Sequence, residues 1–151
     1  MNETNNDRTG KGLMQQAANI APGIVEVEEL LLDDKASTTV VEGHPEVCFR
    51  AFADGVLQHN KKTAPGMDER LSALEHSTAY EQGTWRRLAE RLGENGYETG
   101  ADDLLDALVL ALTARAPADE FHNLSSDPPT DAAGLPMQMV YRRPEPFDID
   151  G

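Results

Sequence analysis

The chain has 151 residues, enough for one domain with a single modest core. Its 27 acidic residues against 13 basic ones give a formal net charge of −14, and only four of the cations are lysines (Lys11, Lys35, Lys61, Lys62). One cysteine excludes an intrachain disulfide, no apolar run is long enough to cross a bilayer, and the polar start is no signal peptide, so a cytoplasmic protein is expected.

An acidic, lysine-poor surface stays hydrated in concentrated salt, where a Debye length of about 3 Å screens the self-repulsion that would strain it in dilute buffer. A salt-adapted, halophilic protein is the expectation. Residues 1–9 are polar without periodicity and read as a flexible start. From Gly12 to Leu32 the apolar residues Leu13, Met14, Ala17, Ile20, Ile24, Val27, Leu30 and Leu31 recur at helical spacing. Pro22-Gly23 in the middle predicts either a kink or two consecutive helices. Thr38 to Glu42 is short and β-branched and predicts a strand, which Gly43-His44-Pro45 must stop. Pro45 suits the first turn of a helix over 46–53. Cys48 lies inside it, between Val47 and Phe49, and reads as a small buried apolar residue rather than a nucleophile.

His59-Asn60-Lys61-Lys62-Thr63 is a polar loop with two adjacent cations, and Pro65-Gly66 opens a helix over 67–76. A further helix covers 80–92, with Trp85, Leu88 and Leu92 on one face. After a glycine-rich loop the strongest helix runs over 102–115, with acids at its start and Arg115 and Pro117 at its end. Residues 117–135 read as irregular, Met137 to Tyr141 as a final edge strand, and 143–151 as a disordered acidic tail. The pieces come to about five helices and one or two strands. Two strands make a marginal sheet by themselves, so Val40-Val41 wants partners that this chain does not supply.

The chemistry concentrates on the last helix. Residues three and four apart share a helix face, so Asp102 and Asp103 line up with Asp106. Asp102 has a structural explanation as an N-cap, and Asp103 as a complement to the helix dipole. Asp106 sits between Leu105 and Ala107 on an almost wholly apolar wheel, where a carboxylate costs several kcal/mol unless it is paired or binds a metal. Glu42, at the expected strand end, is a second candidate acid for a hard cation, against the simpler reading of a solvated strand end. The four histidines show no metal-ligand spacing, and there is no phosphate-binding glycine loop and no Gly-x-Ser-x-Gly elbow. Lys61-Lys62 and the stripe Arg86, Arg87, Arg91 are a weak nucleic-acid footprint, and such cations are more often plain solvated surface.

Five pieces in order carry a resemblance: Gly10-Lys11-Gly12-Leu13; Val40-Val41-Glu42-Gly43-His44-Pro45-Glu46 with Phe49; His59-Asn60-Lys61-Lys62-Thr63; Asp102-Asp103-Leu104-Leu105-Asp106-Ala107-Leu108; and Pro128-Pro129 with Asp131 and Gly134-Leu135-Pro136-Met137. Together they resemble the domain-of-unknown-function family 429, from about residue 8 to Tyr141. That family is regarded as predicted nucleases with a ribonuclease-H-like fold. The resemblance therefore implies an α/β fold with a mixed sheet flanked by helices, and phosphodiester hydrolysis with Mg²⁺ or Mn²⁺. Carried over, Glu42, Asp103 and Asp106 would be the catalytic and metal-holding acids. His44 and Glu46 would line the cleft, and Lys61 and Lys62 would face a nucleic acid, DNA or RNA.

Family members begin with a hairpin bearing an aspartate in an Asp-Gly context, and this sequence has none. The expectation is thus a partial ribonuclease-H-like domain over 10–142, mainly helical with its N-terminal strands missing. It would be an N-terminally truncated nuclease that is active once the missing part is supplied, the start codon itself being open to question. The alternative is a non-catalytic remnant or interaction module that pairs its exposed Val40 strand edge with a partner or with itself.

Overall fold

A computed structural model describes residues 15–33, 38–53 and 55–148. The flexible start expected over 1–9, and residues 149–151 of the expected tail, lie outside the described residues. The described elements are five helices, α1 (Gln15–Leu32), α2 (Pro45–Phe52), α3 (Ala64–Glu75), α4 (Thr84–Glu94) and α5 (Ala101–Ala114). Two short strands follow, β1 (Phe121–Asn123) and β2 (Val140–Arg142). The fold is α/β and mainly helical, and none of the described helices is long and apolar enough to cross a membrane.

Residues fall into two compact units, one reaching to Val40 and including Ala132–Leu135, the other holding Val41–Asp131 and everything from Pro136 on. In the first unit α1 is one continuous helix through Pro22, so the two-helix alternative falls. Its apolar residues find little cover: Ile20, Ile24, Val25, Val27, Leu30 and Leu32 are all exposed.

The second unit holds the core. Cys48 and Phe49 of α2, Ala73 and Leu74 of α3, and Leu105, Leu108, Val109 and Leu112 of α5 form one buried cluster, with Trp85 and Leu88 of α4 packed against it. Helices α2 and α3 start where the sequence supplies a partner for their free backbone donors. His44 Nδ1 accepts from the Glu46 amide and Pro45 occupies the first turn of α2. Thr63 Oγ1 accepts from the Gly66 amide at the head of α3. α5 differs: its N-cap is Gly100, without a side-chain hydrogen bond. Asp102 therefore stands inside the first turn with Asp103, not at the cap position expected for it.

The sheet is a two-stranded antiparallel pair, with Phe121 opposite Arg142, His122 opposite Tyr141 and Asn123 opposite Val140. β2 is the expected final strand, begun three residues later. β1 forms in a stretch that reads as irregular, because three residues are too few to show a period. The strand expected over Thr38–Glu42 does not form. Thr38, Thr39 and Val40 are exposed, and the tie of this stretch to β2 is one hydrogen bond, from the Val140 amide to the Glu42 carbonyl at 2.8 Å. β-branched residues favour a strand only where a neighbour completes the ladder. β2 itself is buried along its length, and Arg142 Nε is neutralised by Glu120 at 2.7 Å.

The segment expected to be a free tail from 143 is anchored as far as Phe147. The Phe147 amide donates to the Tyr141 hydroxyl at 2.8 Å, and its ring lies 4.4 Å from that of Tyr141, with Arg50 and Arg143 over its face.

Candidate functional site

The charged side chains that the fold brings together lie where the 59–63 loop meets α5 and α2. The loop is shaped by its own polar groups. Thr63 donates through both its amide and its hydroxyl to the Asn60 carbonyl, and the Lys62 amide donates to Asn60 Oδ1. From α3, Glu69 accepts from the Gln58 and His59 amides and pairs with His59 Nδ1 at 2.7 Å. That histidine hydrogen bond holds the Glu69 carboxyl below the usual carboxylate range. The loop also presses on the first turn of α3. A Cβ at Gly66 would stand 2.0 Å from the Asn60 carbonyl oxygen, so only glycine fits there.

This turn aims Lys61 at α5 and leaves Lys62 exposed. Lys61 Nζ donates to Asp106 Oδ2 at 2.5 Å and stands 4.0 Å from Asp102 Oδ2. Asp102 and Asp106 are four residues apart, one turn of the same face, which is why both reach a single ammonium. Each of the two carboxylates is about four-fifths buried, at 19% side-chain exposure. The hydrogen bond to Asp106 raises the Lys61 pKa above its ordinary value against the opposing effect of burial, with the charges of Asp106, Asp102 and Glu46 adding to it. Lys61 satisfies one oxygen of Asp106. The other, Oδ1, is buried and has no hydrogen-bond partner.

Beside this group stands a second ion pair. Arg70 of α3 is 4% exposed in its side chain and offers Nη2 to both oxygens of Glu46 at 2.7 Å. Its Nη1 donates to the Gly66 and His59 carbonyls, so Arg70 ties α2, α3 and the loop at one point.

The expected site residues are distributed as follows. Asp106 is in the cluster. Asp103, one residue from Asp102, is exposed on the neighbouring face of α5, and Glu42 is exposed. His44 caps α2, and it lines a shallow cavity of about 570 Å³ together with Glu46, Arg50, Met139 and Phe147. Lys61 faces the acids of α5. Of the arginine stripe, Arg86 is paired with Glu90 at 3.1 Å and Arg87 with Glu81 at 3.2 Å. Among the described residues no three His, Cys, Asp or Glu side chains are grouped so as to hold a metal ion. The three-acid set of Glu42, Asp103 and Asp106 is thus not assembled. What suits a hard cation is narrower: Asp102 and Asp106, two carboxylates already converging on one positive charge, one of them with a buried oxygen to spare. Sequence reasoning set Asp102 aside as a cap and did not single out Arg70. The i, i+4 spacing to Asp106 was the available signal for Asp102; Arg70 carried none.

Cys48 is fully buried, its thiol 3.5 Å from the Val140 carbonyl oxygen, and burial pushes its pKa up. It is a core residue, as its sequence setting indicates.

Comparison with known families gives a match. The family described as "Protein of unknown function (DUF429)" has a sequence model that matches residues 1–130. No curated protein and no solved structure matches the chain.

Proposed function

The chain belongs to the DUF429 family, and from that premise and the geometry of α5 we propose that it serves divalent-metal-dependent phosphodiester hydrolysis, as a nuclease of the ribonuclease-H-like class. The observation that carries the reading is Asp106, a carboxylate placed on an apolar helix with one buried oxygen that no protein donor satisfies. Leaving such an oxygen unpaired is costly, which favours a site that an ion completes. Asp106 and Asp102 would hold the ion. One or two carboxylates, with water and phosphate oxygens filling the remaining positions, are a usual set for Mg²⁺. Bound there, the ion would polarise a phosphoryl oxygen and acidify water. The chain's own part is to hold the two carboxylates on one face of a rigid helix. Glu42 and Asp103 enter the proposal only as solvent-facing acids, available to a bound substrate's ions. Mg²⁺ and Mn²⁺ remain equally suitable, and with a net charge of −14 contact to DNA or RNA would lean on metal bridging rather than on counter-ion release.

The test is calorimetric titration of Mg²⁺ and Mn²⁺ into the protein in molar KCl, paired with cleavage assays on labelled DNA and RNA oligonucleotides. Asp106→Asn should weaken metal binding at least about tenfold, as loss of a full ligand charge does. Metal affinity that survives Asp106→Asn unchanged would overturn the assignment.

One observation favours a second reading. Asp106 already has a cation in Lys61, so the cluster also makes sense as a structural ion pair in a non-catalytic interaction module. The expected docking edge at Val40 is not a strand in the structure, so such a module would use another surface. Absence of both metal binding and cleavage in the wild-type protein selects this reading.

A further inference from the structure

Resting on the metal-site reading above, we propose that Lys61 is the resident cation of the Asp102–Asp106 pair, and that a divalent ion enters the site only by displacing it. Three observations lead there. Lys61 Nζ already occupies the point on which both carboxylates converge, 2.5 Å from Asp106 Oδ2 and 4.0 Å from Asp102 Oδ2. An ion that draws on both acids would therefore compete for the same place. A further acid whose charge acts on Lys61, Glu46, is held on both oxygens by Arg70, so it offers Lys61 no equivalent alternative anchor. Lys61 itself stands on a four-carbon stem with its side chain 31% exposed, so it has a path to solvent when it is expelled, while the loop beneath it stays fixed by Asn60, Thr63 and Gly66.

The charges support displacement over sharing. Two carboxylates against one ammonium leave one negative charge, and two carboxylates against a divalent ion leave none. Both cations together would set three positive charges against two negative ones within a few ångströms, in a partly buried place where like charges are poorly screened. Lys61 thereby keeps the acids apart from each other's repulsion while no ion is bound, and it sets a threshold that a divalent ion must exceed.

The experiment compares Mn²⁺ affinity, by calorimetry on the full chain in molar KCl, for wild type, Lys61→Met and Lys61→Arg, with folding checked by circular dichroism. Lys61→Gln serves the same comparison should methionine disturb the loop. Removing the competing charge is expected to tighten Mn²⁺ binding by about tenfold or more. Lys61→Arg, which keeps a fixed cation, is expected to stay near wild type. The gain should vanish when Asp106→Asn is added to Lys61→Met, which locates it at this pair. Equal or weaker binding in the two neutral variants overturns the displacement inference while leaving the metal site standing. No Mn²⁺ binding in any variant overturns both.

Discussion

Helices α1 and α5 look alike as strings of letters and behave differently in the folded chain. Both carry apolar residues at helical spacing, Ile20, Ile24, Val27 and Leu31 in α1 and Leu105, Leu108, Val109 and Leu112 in α5. In α5 those four are 0 to 8% exposed, whereas Ile20 and Ile24 of α1 are 57% and 58% exposed. Periodicity is a property of the helix, and burial is a property of what lies against it. α5 has α2, α3 and β2 as neighbours, so its apolar stripe becomes a core and the one carboxylate set into it acquires a cation. On α1, by contrast, Glu26 and Glu29 are exposed and Glu28 is partly buried.

The sharpest way to test that contrast is truncation in α5. Leu105 is fully buried in the central cluster, so Leu105→Ala is expected to cost about 2–5 kcal/mol, the lost transfer energy plus the cavity left behind. Urea melts at fixed molar KCl would measure it. A cost below about 1 kcal/mol would mean that the site collapses freely and that the α5 stripe is no firmer than that of α1.

A smaller effect belongs to the loop that aims Lys61. The Glu69 pKa is depressed in the folded protein by its hydrogen bond with His59, so the unfolded chain takes up that proton first as the pH falls. The stability contributed by the pair is complete above the ordinary carboxylate pKa and is lost as the pH drops through the lowered folded value. Glu69→Gln should flatten the acid limb of the stability profile by lowering stability in the neutral region, while converging on wild type at pH values below the lowered folded pKa. An unaltered acid limb would show that other carboxylates govern it. Because Glu69 is only partly buried and its partner His59 is exposed, high salt should shrink the difference further.

These contrasts also mark what was legible in the residues. The helices of the second unit were, since Pro45 after His44, Pro65-Gly66 after Thr63 and the acids at the head of α5 are local signals, and a local signal survives whatever the rest of the chain does. Pro22 left a kink and two consecutive helices both open, and the structure has one helix running through it. Of the sheet only the final strand was legible, expected over Met137 to Tyr141 and found as β2 (Val140–Arg142). Thr38–Glu42 has strand composition but little to pair with, and Phe121–Asn123 pairs with β2 although nothing in its three residues announces it. In the candidate site Asp106 stood out as a charge on an apolar wheel, but its partner lies 45 residues earlier, and a single sequence holds no trace of that distance. Lys61 for the same reason reads as a surface cation facing a nucleic acid until the turn at Asn60 shows where it points. Gly66 was visible as a helix opener, while its second duty, the close approach of the Asn60 carbonyl, is visible only in three dimensions.

The smallest expected effect is also the one that would break the comparison. Ile24→Ala removes three carbons from a side chain that is more than half exposed, and a surface truncation of that kind is expected to change stability by about 0.5 kcal/mol or less. Held against Leu105→Ala in the same melts, the pair separates burial from periodicity, since both positions are apolar members of a helical stripe. A cost for Ile24→Ala close to that of Leu105→Ala would mean that the α1 stripe is covered in solution. The dependence on protein concentration then decides by what: a midpoint that rises with concentration in wild type and not in Ile24→Ala identifies a second copy of the chain as the cover. A midpoint independent of concentration would point to cover from within the chain. In either case the contrast between the two helices would cease to be one of buried against exposed.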